Sequence, residues 1–180
     1  RSMDIMTDST RTNLWQVNVD GTNHQPLLSG KANYRMARFS ADGTRLAYIS
    51  SGEGDNQLYV RWLASGKTAR VTNLQNSPSD ISWSPDGKLI AFSMFKPGKA
   101  THIFKDMPEK PEGAKWAGKA KYIDQMSYRS NGGGFTQAGF DHIYVVPALG
   151  GTPRQVTTGD FHHGGVINWS KDSKKLIING

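Results

Sequence analysis

The sequence predicts an all-β chain of tandem four-stranded antiparallel units. Three observations carry this: an internal repeat, Asp-Gly hairpin turns at a fixed place within it, and continuous apolar runs between the turns. Three segments align on one pattern: Phe39 to Ser50, Trp83 to Ser93 and Trp169 to Gly180. A second set, Asn13 to Val19, Gln57 to Leu63 and His142 to Ala148, is followed each time by a Gly-bearing turn and a short strand. The aromatic anchors step by 44 and then 86 residues, so the long interval is one repeat carrying an insertion of roughly 42 residues. A unit of about 40 to 45 residues with four short strands is a propeller blade. The predicted architecture is therefore a partial β-propeller of about three blades' worth, with a long hairpin-like insertion between the second and third strands of one blade.

The turns support the strands independently. In Ser84-Pro85-Asp86-Gly87, proline presets a negative φ and Gly87 takes the left-handed conformation that lets both strands keep their twist. At the equivalent Asp172-Ser173 turn a serine occupies the glycine position, and positive φ there costs about 1 kcal/mol. Runs such as Leu89 to Phe92 and Ile143 to Val146 are continuous rather than alternating, as expected where neighbouring blades cover both sheet faces.

The predicted organisation is one partial propeller domain, 1–180: a half blade at 12–28, a blade at 34–72, a blade at 79–157 interrupted by an insertion at 94–140, and a half blade at 165–180. Propellers typically need four to eight blades to close, which implies either a larger parent protein or a second copy completing a six-bladed ring. A terminal strand-like stretch, Leu176 to Gly180, adds to the expectation of a longer parent.

Composition narrows the function classes. There is no cysteine, which removes disulfides, thiolate metal sites and cysteine nucleophiles. The net charge is +7, but eight basic and four acidic residues between Lys96 and Arg129 account for about half the excess, scattered among Pro and Gly. That pattern reads as a solvated loop, so no nucleic-acid partner is expected. No membrane association is expected either, because no run approaches the roughly 18 apolar residues needed for a span. No secretion signal opens the sequence, which leaves periplasm or cytoplasm open.

Catalytic signatures are absent from the sequence. There is no Gly-x-Ser-x-Gly elbow, no His-Glu-x-x-His, and the triple glycine Gly132 to Gly134 is not a dinucleotide fingerprint. No catalytic, cofactor or metal residue is assigned. Because strand direction alternates, the insertion shares one rim with the loops 29–34, 73–79 and 158–164, and loops on a rigid scaffold are where binding groups tend to sit. Trp116, Tyr128, Arg129, His162 and His163 are the side chains there best suited to contact a peptide.

The Trp-Ser-Pro-Asp-Gly-Lys-x-Ile-Ala-Phe repeat resembles the blades of TolB-like propellers and of prolyl oligopeptidase-family serine peptidases. Pro111 to Trp116, Tyr128-Arg129 with Gly132 to Gly134, and His142 to Asp160 together resemble the propellers of acylaminoacyl-peptidase-like and dipeptidyl-peptidase-like members. The resemblance implies a non-catalytic portion that gates or helps bind peptide substrates for a separate α/β-hydrolase domain of the parent chain. The family's catalytic triad has no match in these residues. The competing expectation is a free-standing TolB-like interaction module.

Overall fold

The structure is a computed structural model that describes residues 2–6, 8–98, 109–117, 123, 128–131 and 134–180. It divides into two compact units, one formed by residues 1–96 and 140–180 and the other by 97–139. Among the described residues all regular structure is strand.

The larger unit opens with a hairpin, β1 (Ser2–Asp4) and β2 (Ser9–Arg11), followed by a two-stranded sheet of β3 (Leu14–Gln16) and β4 (Gln25–Leu28). A complete antiparallel blade follows, β5 (Tyr34–Phe39), β6 (Arg45–Ser50), β7 (Gln57–Trp62) and β8 (Thr68–Arg70), paired in that order. The second blade starts with β9 (Pro78–Trp83) and β10 (Leu89–Pro97). In the smaller unit β11 (Arg129–Ser130) pairs with β12 (Gly134–Phe135), a hairpin in the part of the insertion where the glycine run lies. The chain then completes the second blade with β13 (Gly139–Pro147) and β14 (Arg154–Gln155), in sheet order β14-β13-β10-β9. A final two-stranded sheet pairs β15 (Gly164–Trp169) with β16 (Leu176–Asn179). The partial β-propeller of antiparallel four-stranded blades is thus realised, with the insertion between the second and third strands of the second blade. Much of the expected insertion, including Tyr122, Gly132, Gly133 and His102, lies outside the described residues.

The first-to-second-strand turns repeat one hydrogen-bond pattern. In the first, the Ser40 hydroxyl and the Thr44 N–H both donate to Asp42, while Gly43 N–H donates to Ser40 O. Ser84-Asp86-Lys88 and Ser170-Asp172-Lys174 repeat it. The repeated Ser-x-Asp spacing therefore builds each turn from its own side chains. Gly43 and Gly87 both take φ 67°, and Ser173 takes φ 60° at the same position, as the alignment requires.

The core lies between blades. Ala47, Ile49, Leu58 and Val60 of the first blade pack against Ile81, Trp83, Phe92 and Tyr144 of the second. On the other face of the second blade, Ala91, Ile143 and Val145 meet Ile167, Trp169, Leu176 and Ile178. Leu46, Tyr48 and Tyr59 cover Leu14, Leu27 and Leu28 in the same way. Both faces of each full blade are thereby buried, which is why its middle strands read as unbroken apolar runs. Full burial of a side chain such as Phe92 contributes about 1.5–3 kcal/mol, so blade stacking rather than any single sheet holds the unit together.

Candidate functional site

The first strands of three successive blades, β5, β9 and β15, line one open cavity of about 570 Å³. Arg38 and Phe39 come from β5, Asp80, Ser82 and Trp83 from β9, and Val166 from β15. Each of these strands carries an irregularity in its pairing with the strand behind it. Within each irregularity one residue has a left-handed backbone: Met36 (φ 53°), Asp80 (φ 51°) and Gly165 (φ 78°). A bulge of this kind adds local twist and re-aims the side chains beside it, and it recurs here on the cavity wall in all three first strands. Met36 and Asp80 hold a conformation that costs a non-glycine residue about 1 kcal/mol or more.

Asp80 is held in place by two hydroxyls: Ser79 Oγ donates at 3.1 Å and Ser93 Oγ at 2.6 Å. The blades are tied along the same wall by their tryptophans. Trp83 Nε1–H donates to Arg38 O at 3.0 Å, and Trp169 Nε1–H donates to Ser82 O at 3.2 Å, the equivalent acceptor one repeat later. These bonds tie each first strand to the tryptophan of the next blade's first strand. The wall therefore offers an exposed guanidinium, a pinned carboxylate and apolar surface from Phe39 and Val166. That mixture suits binding of an extended, mixed-polarity ligand better than bond-breaking chemistry.

Of the peptide-contact residues expected from sequence, Trp116, Tyr128 and Arg129 fall in the smaller unit, all exposed. Tyr128 packs on Phe135 with ring centroids 6.4 Å apart, and its carbonyl accepts from Thr136 N–H. His162 and His163 fall in the larger unit, where they part company. His162 is exposed, with Nδ1 2.9 Å from Asp141 Oδ2. His163 is buried, its Nε2 3.2 Å from Thr158 O and its ring 4.4 Å from Phe161 and 5.5 Å from His142. Burial pushes the His142 imidazole below its ordinary pKa, and the neighbouring His163 and Lys96 reinforce the shift. Among the described residues no group of three or more His, Asp or Glu side chains is placed to hold a metal ion. Sequence reasoning missed the cavity wall. Its only written signal is the spacing of the first-strand aromatics, while Met36 is not a residue one would choose for a left-handed bulge.

Stacked four-stranded blades with indole ties, repeated Asp turns and a shared wall define a propeller segment. Consistent with this, the sequence matches the TolB beta propeller domain family over residues 4–179, and the chain belongs to that family. It is 28% identical over 173 residues, 96% of its length, to the uncharacterized peptidase YuxL of Bacillus subtilis (strain 168), and spans 25% of that protein. It is also 36% identical over 78 residues, 43% of its length, to the Tol-Pal system protein TolB of Francisella tularensis subsp. mediasiatica, and spans 18% of it. Among solved structures, the acylaminoacyl peptidase of Pyrococcus horikoshii superposes with a TM-score of 0.56 at 15% identity, over 86% of this chain and 21% of that one. The chain is thus a propeller related both to peptidase propellers and to TolB, and it spans about a quarter or less of the length of these proteins.

Proposed function

We propose that the chain is the non-catalytic propeller portion of a serine peptidase, which gates or helps bind peptide substrates for a separate α/β-hydrolase domain. The observation that carries this reading is the similarity to a peptidase over 96% of the chain, insertion included. The open wall formed by β5, β9 and β15 supports it: an extended peptide has mixed polar and apolar character, and Arg38, Asp80, Phe39 and Val166 present the same mixture. Exposed Trp116, Tyr128, Arg129 and His162 are further peptide-contacting groups in this reading, and buried His163 supports the loop that carries His162.

The chain incubated with aminoacyl and dipeptidyl chromogenic substrates is expected to give no turnover, while unlabelled peptides shift the amide resonances of residues 36–39, 80–83 and 164–167. Turnover abolished by a serine-directed inhibitor refutes the non-catalytic assignment. The complete gene separates the two surviving readings. A downstream Gly-x-Ser-x-Gly element supports the peptidase, and further blades alone support a free-standing TolB-like interaction module, the second reading favoured by the match to TolB.

A further inference from the structure

The second blade carries a polar set at its bulge that the other blades do without. Ser79 pairs with Ser93 across the β9–β10 ladder, and the left-handed Asp80 follows Ser79. The same places hold Arg35, Ile49 and Met36 in the first blade, and Gly164, Asn179 and Gly165 in the third. All three first strands make the bulge, so blade geometry does not call for an acid or two hydroxyls there. Both hydroxyls are nevertheless spent on one oxygen: Ser79 Oγ and Ser93 Oγ donate to Asp80 Oδ2, and among the described residues Oδ1 has no partner. Polar groups that a scaffold does not need, fixed on a cavity wall, are free to serve a ligand.

We propose that Asp80 is the specificity-determining residue of this wall: it binds a cationic group, ammonium or guanidinium, on a peptide segment that also carries an acidic group for Arg38. This rests on the reading of the wall as a peptide site, and not on the presence of a hydrolase domain.

Arg38 and Asp80 are the charged side chains of the cavity. They do not pair with each other. Arg38 Nη1 donates to the adjacent Ala37 O, while the two serines hold the Asp80 carboxylate on its own strand pair. Arg45 and Arg70, by contrast, are each tied to a carboxylate and to a backbone carbonyl within the fold. Two opposite charges held apart in one cavity are left for a ligand to neutralise. Phe39, Ile81, Trp83 and Val166 surround them with apolar surface, against which a charge pair is less screened than on an open face. A simple cation gains Asp80 but meets the Arg38 charge, whereas a segment carrying both signs satisfies both. The wall therefore selects a charge pattern as well as a polarity. A hard metal cation is a poorer fit, because the hydroxyls beside the carboxylate donate to it, and among the described residues no metal-holding cluster includes Asp80.

Calorimetric binding of N-acetylated, C-amidated hexapeptides to the full chain tests this. The probes carry a lysine with a glutamate one, two or three residues away, or norleucine in place of the lysine. The best lysine peptide is expected to bind about tenfold more tightly than its norleucine twin, the worth of one charge-assisted hydrogen bond, with the advantage shrinking as salt rises. Asp80→Asn keeps an acceptor for both serines and a residue type that tolerates the left-handed region, so the fold is retained. It is expected to abolish the lysine advantage and leave the norleucine affinity unchanged. Ser93→Ala, which loosens the carboxylate, is expected to reduce the advantage in part, a readout that a merely structural serine does not move. Arg38→Gln is expected to remove the preference for a neighbouring glutamate. A free-amine peptide without lysine that binds through Asp80 assigns the cation to a chain terminus, and the acetylated lysine peptide assigns it to a side chain. Equal affinity for lysine and norleucine peptides, or a lysine advantage that survives in Asp80→Asn, overturns the inference and leaves the peptide-binding reading intact. Failure of every peptide to bind overturns both.

Discussion

The Arg45 guanidinium lies 4.9 Å over the indole of Trp83, and its Nη2–H donates to Gly87 O at 2.9 Å, so one side chain of the first blade grips both the strand and the turn of the second. A partly buried cation–π contact and a charge-assisted hydrogen bond contribute about 1–2 kcal/mol each before overlap. Arg45→Met is therefore expected to destabilise the chain by about 2 kcal/mol in urea melts, and Arg45→Lys, which loses the planar fork, by about half as much.

Gly87 and Gly43 separate this grip from backbone strain. Both take φ 67°, but a Cβ at Gly43 meets open space, whereas one at Gly87 lies 2.6 Å from the Arg45 guanidinium. Gly43→Ala is expected to cost only the left-handed penalty, about 1 kcal/mol, and Gly87→Ala about 1 kcal/mol more. In an Arg45→Met background the two costs converge, and a double-mutant cycle reads the difference.

The cavity-wall bulge predicts a stabilising substitution. Met36 holds φ 53° while substantially exposed, so its side chain contributes little that offsets the strain. Met36→Gly is expected to raise stability by about 0.5–1 kcal/mol, and Met36→Val, β-branched at a left-handed position, to lower it. Asp80→Gly removes the same strain but also the acceptor for Ser79 and Ser93, so no gain follows there. Thermal melts of the three variants check the ordering.

These bulges mark where the sequence stops being readable. Asp86-Gly87 and its counterparts write the turns into short local patterns, and even Ser173 at φ 60° follows from alignment with two glycines. The inter-blade core is equally legible, because continuous runs such as Leu89 to Phe92 make sense only when both faces are covered. Met36, by contrast, is left-handed against its own propensity, and Asp80, a residue type that visits this region more readily, lies in no turn pattern that would announce it. The adjacent histidines illustrate the same limit: the sequence offers two equivalent rings, and packing against Phe161 buries only one. β1 and β2, which are short and carry few apolar residues, give no periodic signal.

Acid is expected to loosen the fold in two stages. Burial and the His163 charge depress the His142 pKa below 6.5, so its stabilising effect is complete above that value and is lost as pH falls through the lowered folded pKa. The turn carboxylates follow. Hydrogen bonds from Ser40 and Thr44 lower Asp42 to about 2, and bonds from Ser84 and Ser170 lower Asp86 and Asp172 below 3.8. With folded pKa values depressed, these groups stabilise the fold above pH 3.8 and lose that effect as pH falls through their folded values. The melting temperature is expected to decline first below pH 6.5 and again below pH 3.8; His142→Gln removes the first step, and Asp42→Asn reduces the second.

Gln57 is the polar residue on which the first blade most depends. It is almost fully buried at the start of β7, and its amide closes the outer corner of the blade. Nε2 donates to Leu74 O at 2.9 Å, while Oε1 accepts from Leu74 N–H at 2.8 Å and from Thr72 Oγ at 2.9 Å. Thr72 Oγ in turn accepts from Leu58 N–H, so one amide satisfies the segment that leaves β8 for the next blade. Gln57→Leu keeps the volume but strands both backbone groups of Leu74 away from water, at about 1–3 kcal/mol each. The expected loss is about 3 kcal/mol by chemical denaturation. Gln57→Glu keeps the acceptor and has a donor only when protonated; it is expected to fall between wild type and the leucine variant at low pH, where the acid O–H can face Leu74 O, and to match or exceed the leucine variant at neutral pH, where a buried charge meets a carbonyl.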